Sequence, residues 1–108
     1  MALATIDTTE LNDLLGKGQA VVVDFWAEWC RPCHALTPEI EALAVEHVDV
    51  RFVKLDIDAN PEITAKLGVM SVPTVVHFGG DGAEVARSIG AMRREQLADR
   101  LRLNGSAS

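Results

Sequence analysis

Hydrophobic and polar positions along the chain switch repeatedly between a period of two and a period near 3.6, the pattern of an α/β domain. Asp7 followed by Glu10 makes an acidic variant of a capping box, with Ile6 and Leu11 at the flanking staple positions. These residues predict a first helix over 8–15, stopping at Gly16-Lys17-Gly18. Ala20-Val21-Val22-Val23-Asp24-Phe25-Trp26 is apolar on both faces except for one acid, as expected of a central strand covered on both sides. Cys33, Leu36, Ile40, Leu43 and His47 then share one helical stripe, and Pro38 within it predicts a kink rather than a break. Residues 48–55 read as the next strand. Asn60-Pro61 is a cap and first-turn pair for a short helix to Leu67, with Gly68 closing it. Thr74–Phe78 and Glu84–Ile89, joined by Gly79-Gly80-Asp81-Gly82, read as an antiparallel hairpin. A final amphipathic helix over 93–103 turns Leu97 and Leu101 inward and sets Arg100 and Arg102 near its C-terminus, where positive charge is favoured. The predicted order is β-α-β-α-β-α-β-β-α, although the pattern gives the leading strand no span.

Composition narrows what such a domain can do. The 108 residues, 48% hydrophobic, are read as one domain over 1–108 with a core that needs no staples. Only 104–108 reads as a frayed, flexible tail. The net charge of -6 argues against nucleic acid as a partner, and no polybasic run suits an anionic membrane surface. Solubility is the plain reading of that acidity. The apolar run 20–23 is far too short to cross a bilayer. The first seven residues have no basic region and reach Asp7 before an apolar stretch forms, so a cytoplasmic, reducing location is expected.

The two cysteines, Cys30 and Cys33, change the picture most. A structural disulfide gains from closing a long loop, and this ring is about as small as such rings get, so a staple explains it poorly. Zinc is the other plain use of paired thiols. A closed zinc site needs four ligands, only His34, His47 and His77 are available to assist, and no second C-x-x-C exists. No metal is therefore expected. A C-x-x-C beside a βαβ pattern reads instead as a redox pair. Cys30 ends the turn after a buried strand and opens a helix, where free backbone N–H groups and the helix dipole favour a thiolate. Cys33, nearly a turn further on, is set to resolve the mixed disulfide that Cys30 forms.

The segment Val23-Asp24-Phe25-Trp26-Ala27-Glu28-Trp29-Cys30-Arg31-Pro32-Cys33 resembles the active-site segment of the thioredoxin family, normally Trp-Cys-Gly-Pro-Cys. The resemblance continues through Pro38, Lys54-Leu55-Asp56-Ile57-Asp58, Asn60-Pro61, Ser71-Val72-Pro73-Thr74 and Gly90-Ala91, in order and over nearly the whole chain. It implies a thioredoxin fold, a central mixed five-stranded sheet flanked by four helices. It also implies a reaction: Cys30 attacks a protein disulfide, and Cys33 then displaces the reduced substrate. The resulting Cys30–Cys33 disulfide would be re-reduced by an NADPH-dependent flavoprotein, thioredoxin reductase. No cofactor is implied in the chain itself, since NADPH and FAD act only in that partner, and a monomer is expected.

Supporting residues follow from both lines. Asp24 is an acid in an apolar strand, where burial raises its pKa, and the family implies that it accepts a proton from Cys33. The alternative is a structural acid paired with Lys54 on the neighbouring strand, and the two roles are compatible. The resemblance implies a cis bond before Pro73, with Pro73 facing the dithiol and the Val72 backbone pairing with a substrate strand. Trp29 is expected on the docking surface, Trp26 in packing, Pro32 in setting the helix start, and Gly90 in letting a partner backbone approach. His47 and His77 are taken as structural or solvated, and His34 alone lies close enough to influence the thiols.

Two positions depart from the family pattern. Arg31 replaces the usual glycine between the cysteines, and a cation there favours the thiolate and a more oxidising protein. His34 stands where lysine is common, trading a fixed charge for one that titrates near neutrality. The leading expectation is a general protein-disulfide reductase. A more oxidising oxidant or isomerase tuned by Arg31 is the nearest rival. A thioredoxin-fold binding subunit is a third reading, opposed by the intact Cys30, Cys33, Asp24 and Pro73.

Overall fold

A computed structural model describes residues 3–103. Among them the chain forms β1 (Ala4–Ile6), α1 (Thr8–Leu14), β2 (Val21–Trp26), α2 (Arg31–Glu46), β3 (Arg51–Asp56), α3 (Pro61–Lys66), β4 (Thr74–Phe78), β5 (Glu84–Ile89) and α4 (Arg94–Arg100). The expected tail over 104–108 lies outside the described residues.

The strands make one five-stranded sheet in the order β1-β3-β2-β4-β5. β1, β3 and β2 run parallel, while β4 is antiparallel to β2 and to β5. Side chains alternate between sheet faces, so the apolar run of β2 feeds two separate clusters. Val21, Val23 and Phe25 join Leu11 of α1, Ile63 of α3, Val53, Leu55 and Phe78 on one face. Val22 joins Leu36, Ile40 and Leu43 of α2 and Leu97, Ala98 and Leu101 of α4 on the other. Asp24 is two residues from Val22, which places it on the α2 and α4 face.

The capping box forms as read: Asp7 accepts from the Glu10 N–H at 2.8 Å, and the Asp7 N–H donates to the Glu10 carboxylate at 3.0 Å. Ile6 and Leu11 meet in the core. α2 runs through Pro38 unbroken from Arg31 to Glu46. Pro38 has no N–H for the His34 carbonyl, and the neighbouring Thr37 hydroxyl donates to the Cys33 carbonyl at 3.1 Å. His47 is not on the helix but caps it.

Two boundaries and one cap differ from the sequence reading for definite reasons. β3 begins at Arg51 rather than residue 48, because a turn closes with the Val50 N–H on the His47 carbonyl and leaves Val48 in solvent. α4 ends at Arg100 rather than 103. There Leu103 N–H bonds the Ala98 carbonyl and Arg102 N–H bonds that of Asp99, a Schellman closure with Arg102 in the left-handed position at φ 59°. This turn carries Leu103 back into the core. Asn60 precedes α3 as expected, yet its side chain makes no cap bond there. Its Oδ1 accepts instead from the Thr8 N–H and hydroxyl, both at 3.0 Å, while its Nδ2 donates to the Asp56 carbonyl at 3.0 Å. Asn60 thus ties the start of α1 to the end of β3, next to the redox loop.

Asn60→Ala removes the partner of a first-turn helix N–H and cuts that tie. Stability is expected to fall by about 1–2 kcal/mol, read from the midpoint of urea unfolding at unchanged slope.

Candidate active site

β2 ends at Trp26, and the chain crosses residues 27–30 before α2 starts. The Cys30 N–H bonds the Ala27 carbonyl at 3.1 Å, turning the chain so that Cys30 becomes the N-cap of α2. Its sulfur accepts the Cys33 N–H at 3.2 Å. Cys30 and Cys33 are joined as a disulfide with their Cα atoms 5.3 Å apart. Both are buried: Cys30 is 4% exposed and Cys33 1%. They pack with Ala27, and Trp26, Ile57 and Val72 close around them.

Arg31 and Pro32 occupy the first turn of α2 and face solvent. Trp29 stands out from the loop with 67% of its surface exposed, anchored through its indole N–H to Asp58 Oδ2 at 2.8 Å. Val72 and Pro73 arrive from the loop before β4, joined by a cis peptide bond. The Gly90 N–H donates to the Pro73 carbonyl at 2.9 Å. Gly90 takes φ 98°, and nothing lies within 4 Å of where a Cβ would stand, so its requirement is backbone conformation rather than space. Exposed Met70 and Ile89 flank these two segments in the chain.

Asp24 is fully buried, and among the described residues both of its carboxylate oxygens lack a hydrogen-bond partner. Burial pushes its pKa up from the ordinary 3.8 to about 7, with the Lys54 charge pulling partly back. Asp24 and Lys54 are register partners on β2 and β3, yet among the described residues no ion pair joins them within 4.0 Å. Lys54 Nζ lies instead 4.1 Å from the centre of the Trp26 ring, a cation–π contact, and its charge reaches Asp24 only at longer range. Trp26 therefore does more than pack, and its buried indole N–H has no partner among the described residues.

Two contacts of the redox loop had little signal in the sequence. Asp58 belongs to a stretch that resembles the family, but nothing in its spacing says that it holds Trp29. His34 Nε2 lies 2.7 Å from the Glu28 carbonyl, and its ring stands nearly perpendicular to that of Trp26 with centres 5.9 Å apart. Among the described residues no group of three or more His, Cys, Asp or Glu side chains is placed to hold a metal ion. No helix described is long and apolar enough to cross a membrane.

A family model for thioredoxin matches residues 2–103. The chain belongs to the thioredoxin family. It is 42% identical over 101 residues to a thioredoxin of Alicyclobacillus acidocaldarius, covering 91% of this chain and 95% of that protein. It is 52% identical over 77 residues to a thioredoxin of Chlamydia muridarum, covering 71% and 74%. Among solved structures, oxidized mitochondrial thioredoxin 3 of Saccharomyces cerevisiae is similar with a TM-score of 0.82, 34% identity and 93% of both chains covered. Sheet order, helix placement and the disulfide at the head of α2 agree with that membership, so the thioredoxin fold is present as expected. The chain is a thiol–disulfide oxidoreductase, and its activity is protein-disulfide reduction.

The Asp24 environment makes a stability prediction. The folded carboxyl keeps its proton to about pH 7, whereas the unfolded one releases it near 3.8. The folded state is therefore favoured at low pH and loses up to roughly 4 kcal/mol as pH rises through 7. Urea midpoints of the oxidised protein are expected to decline from about pH 4 to about pH 8, and Asp24→Asn to remove most of that decline. Parallel pH profiles for the two proteins would show that Asp24 ionises freely in the folded state.

Proposed function

We propose that Cys30 is the attacking thiol and Cys33 the resolving one. The observation that carries this is the Cys33 N–H directed at the Cys30 sulfur from the N-terminus of a 16-residue helix. A thiolate at Cys30 receives that donor and the positive end of the helix dipole, whereas Cys33 sits further into the helix. The Cys30 thiolate attacks one sulfur of a substrate disulfide, forming a mixed disulfide and expelling one substrate thiolate. Cys33 gives its proton to the Asp24 carboxylate and attacks the Cys30 sulfur. The Cys30–Cys33 bond forms, the second substrate thiolate leaves, and two electrons have passed to the substrate. Asp24 suits the proton step because its pKa, raised to about 7, lies near that of a working base and its oxygens carry no competing hydrogen bond.

Protein disulfides dock, on this reading, over the surface made by Trp29, Val72, Pro73 and Gly90. Exposure of Trp29 and the contact of Val72 with the cysteines support it, and a substrate strand would pair with the Val72 backbone. Pro32 fixes the first turn of α2, Lys54 steadies Trp26, and Arg31 biases the thiolate. The electron donor is an NADPH-dependent flavoprotein thioredoxin reductase that holds NADPH and FAD itself, this chain needing no cofactor of its own. The chain acts as a single-domain monomer over 1–108 in a cytoplasmic compartment.

Arg31 favours a second, narrower reading in which the protein is more oxidising than a glycine-bearing relative. Its exposed side chain makes no hydrogen bond or ion pair among the described residues, so its charge acts through solvent and the shift is small. Arg31→Gly is expected to move equilibrium with glutathione toward the disulfide by roughly two- to fivefold, and an unmoved equilibrium removes Arg31 from the account.

With NADPH, a thioredoxin reductase and insulin, the wild type is expected to consume NADPH and Cys30→Ser to consume none. Cys33→Ser is expected to accumulate a mixed disulfide with insulin. Turnover by Cys30→Ser, or a mixed disulfide that builds on Cys33 in that variant, would reverse the assignment.

A further inference from the structure

The loop that presents Trp29 and Cys30 is tied down from two sides. From the β3 side, Asp58 accepts the Trp29 indole N–H at 2.8 Å. From the α2 side, His34 reaches back across six residues to the Glu28 carbonyl at 2.7 Å. The second tie has no counterpart among the roles assigned above. Its chemistry is defined by its acceptor. A carbonyl oxygen only accepts, so His34 Nε2 carries a hydrogen in both the neutral and the charged ring. A second contact fixes the ring plane, which stands at 77° to Trp26 with centres 5.9 Å apart. Trp26 is in turn covered by Lys54.

We propose that His34 is a positioning residue for substrate docking, closing a clasp on the Glu28 carbonyl that holds Trp29 at the angle a protein disulfide meets. The proposal rests on the docking surface given under the proposed function. The clasp matters most in the reduced protein. The disulfide closes the Cys30–Cys33 part of this turn, and that bond is absent when Cys30 attacks. The backbone bonds Cys30 N–H to Ala27 and His34 N–H to Cys30 leave the Glu28 carbonyl and the Trp29 side chain unaddressed. His34 and Asp58 then hold the loop from opposite sides, and the surface offered to substrate stays the same through the redox cycle.

The test separates docking from thiol chemistry. Pre-reduced protein is mixed with insulin, whose disulfides require docking, and with 5,5′-dithiobis(2-nitrobenzoate), which needs only a reactive thiol. In His34→Ala the second-order rate constant with insulin is expected to fall about tenfold, the order of one hydrogen bond, while that with the small disulfide stays within about twofold. His34→Gln, whose amide can donate to the same carbonyl, is expected to recover most of the insulin rate. Equal losses with both substrates, no loss with insulin, or a Gln variant as slow as Ala overturns the clasp. Trp29→Ala reports on the docking surface itself. A slowed insulin reaction there with none in His34→Ala overturns the clasp alone, and normal rates in both overturn the docking surface as well. Nitrogen NMR of the neutral ring adds an independent reading: Nε2 is expected to be the protonated nitrogen, and a protonated Nδ1 overturns the proposal.

Discussion

Strand β2 gives its backbone hydrogen bonds to β3 on one edge and β4 on the other, and its side chains to a separate apolar cluster on each face. With both edges and both faces occupied, it has no freedom to shift register, since a slip of one residue would exchange the two clusters. The redox loop springs from the end of this strand and is received by α2, whose Leu36, Ile40 and Leu43 are packed onto the sheet. The two cysteines are thus fixed between immobile elements although they lie in and beside a loop. The same enclosure explains Asp24. A carboxyl on β2 is taken out of water, and burial raises its pKa to about 7, so near neutrality it can both hold and accept a proton.

Most of this frame could be read from the chain because the features that set it are local. An unbroken apolar run placed β2, a helical stripe placed α2, two short apolar runs around a glycine turn placed β4 and β5, and the Asp7–Glu10 pair placed α1. β1 had no such signal: it is three residues long, with only Ile6 buried, and it exists because β3 offers it an edge. Residues 48–50 looked like the start of β3, but hydrophobicity alone does not show that a turn there leaves Val48 outside. Asn60 beside Pro61 fits a cap so well that its actual partners, Thr8 and Asp56, were invisible without the fold.

The site divides in the same way. Cys30 and Cys33 stood out by their spacing and Asp24 as an acid in an apolar strand, whereas Pro73 and Gly90 were reached through the family resemblance. Contacts between side chains were not legible. Lys54, the alternative partner of Asp24 and its register neighbour, lies over Trp26, which offers the ammonium an aromatic face without taking it from solvent. The bond from His34 to Glu28 joins a side chain to a carbonyl, and every residue carries a carbonyl, so no residue type announces it.

The depth of the disulfide has a consequence of its own. With Cys30 4% and Cys33 1% exposed, the oxidised pair offers solvent almost no sulfur surface, while the apolar ring of Trp29 beside it is open. A small thiol diffusing past finds little to strike, because in-line attack needs a clear path to a sulfur. On the proposed docking surface, a protein seated over the tryptophan and the loop before β4 brings its own thiolate to the spot by shape. The fold in this way behaves like an insulated conductor with one shaped contact. On that reading its selectivity is kinetic, set by what can touch the sulfurs, and is separate from the potential at which they hold their electrons.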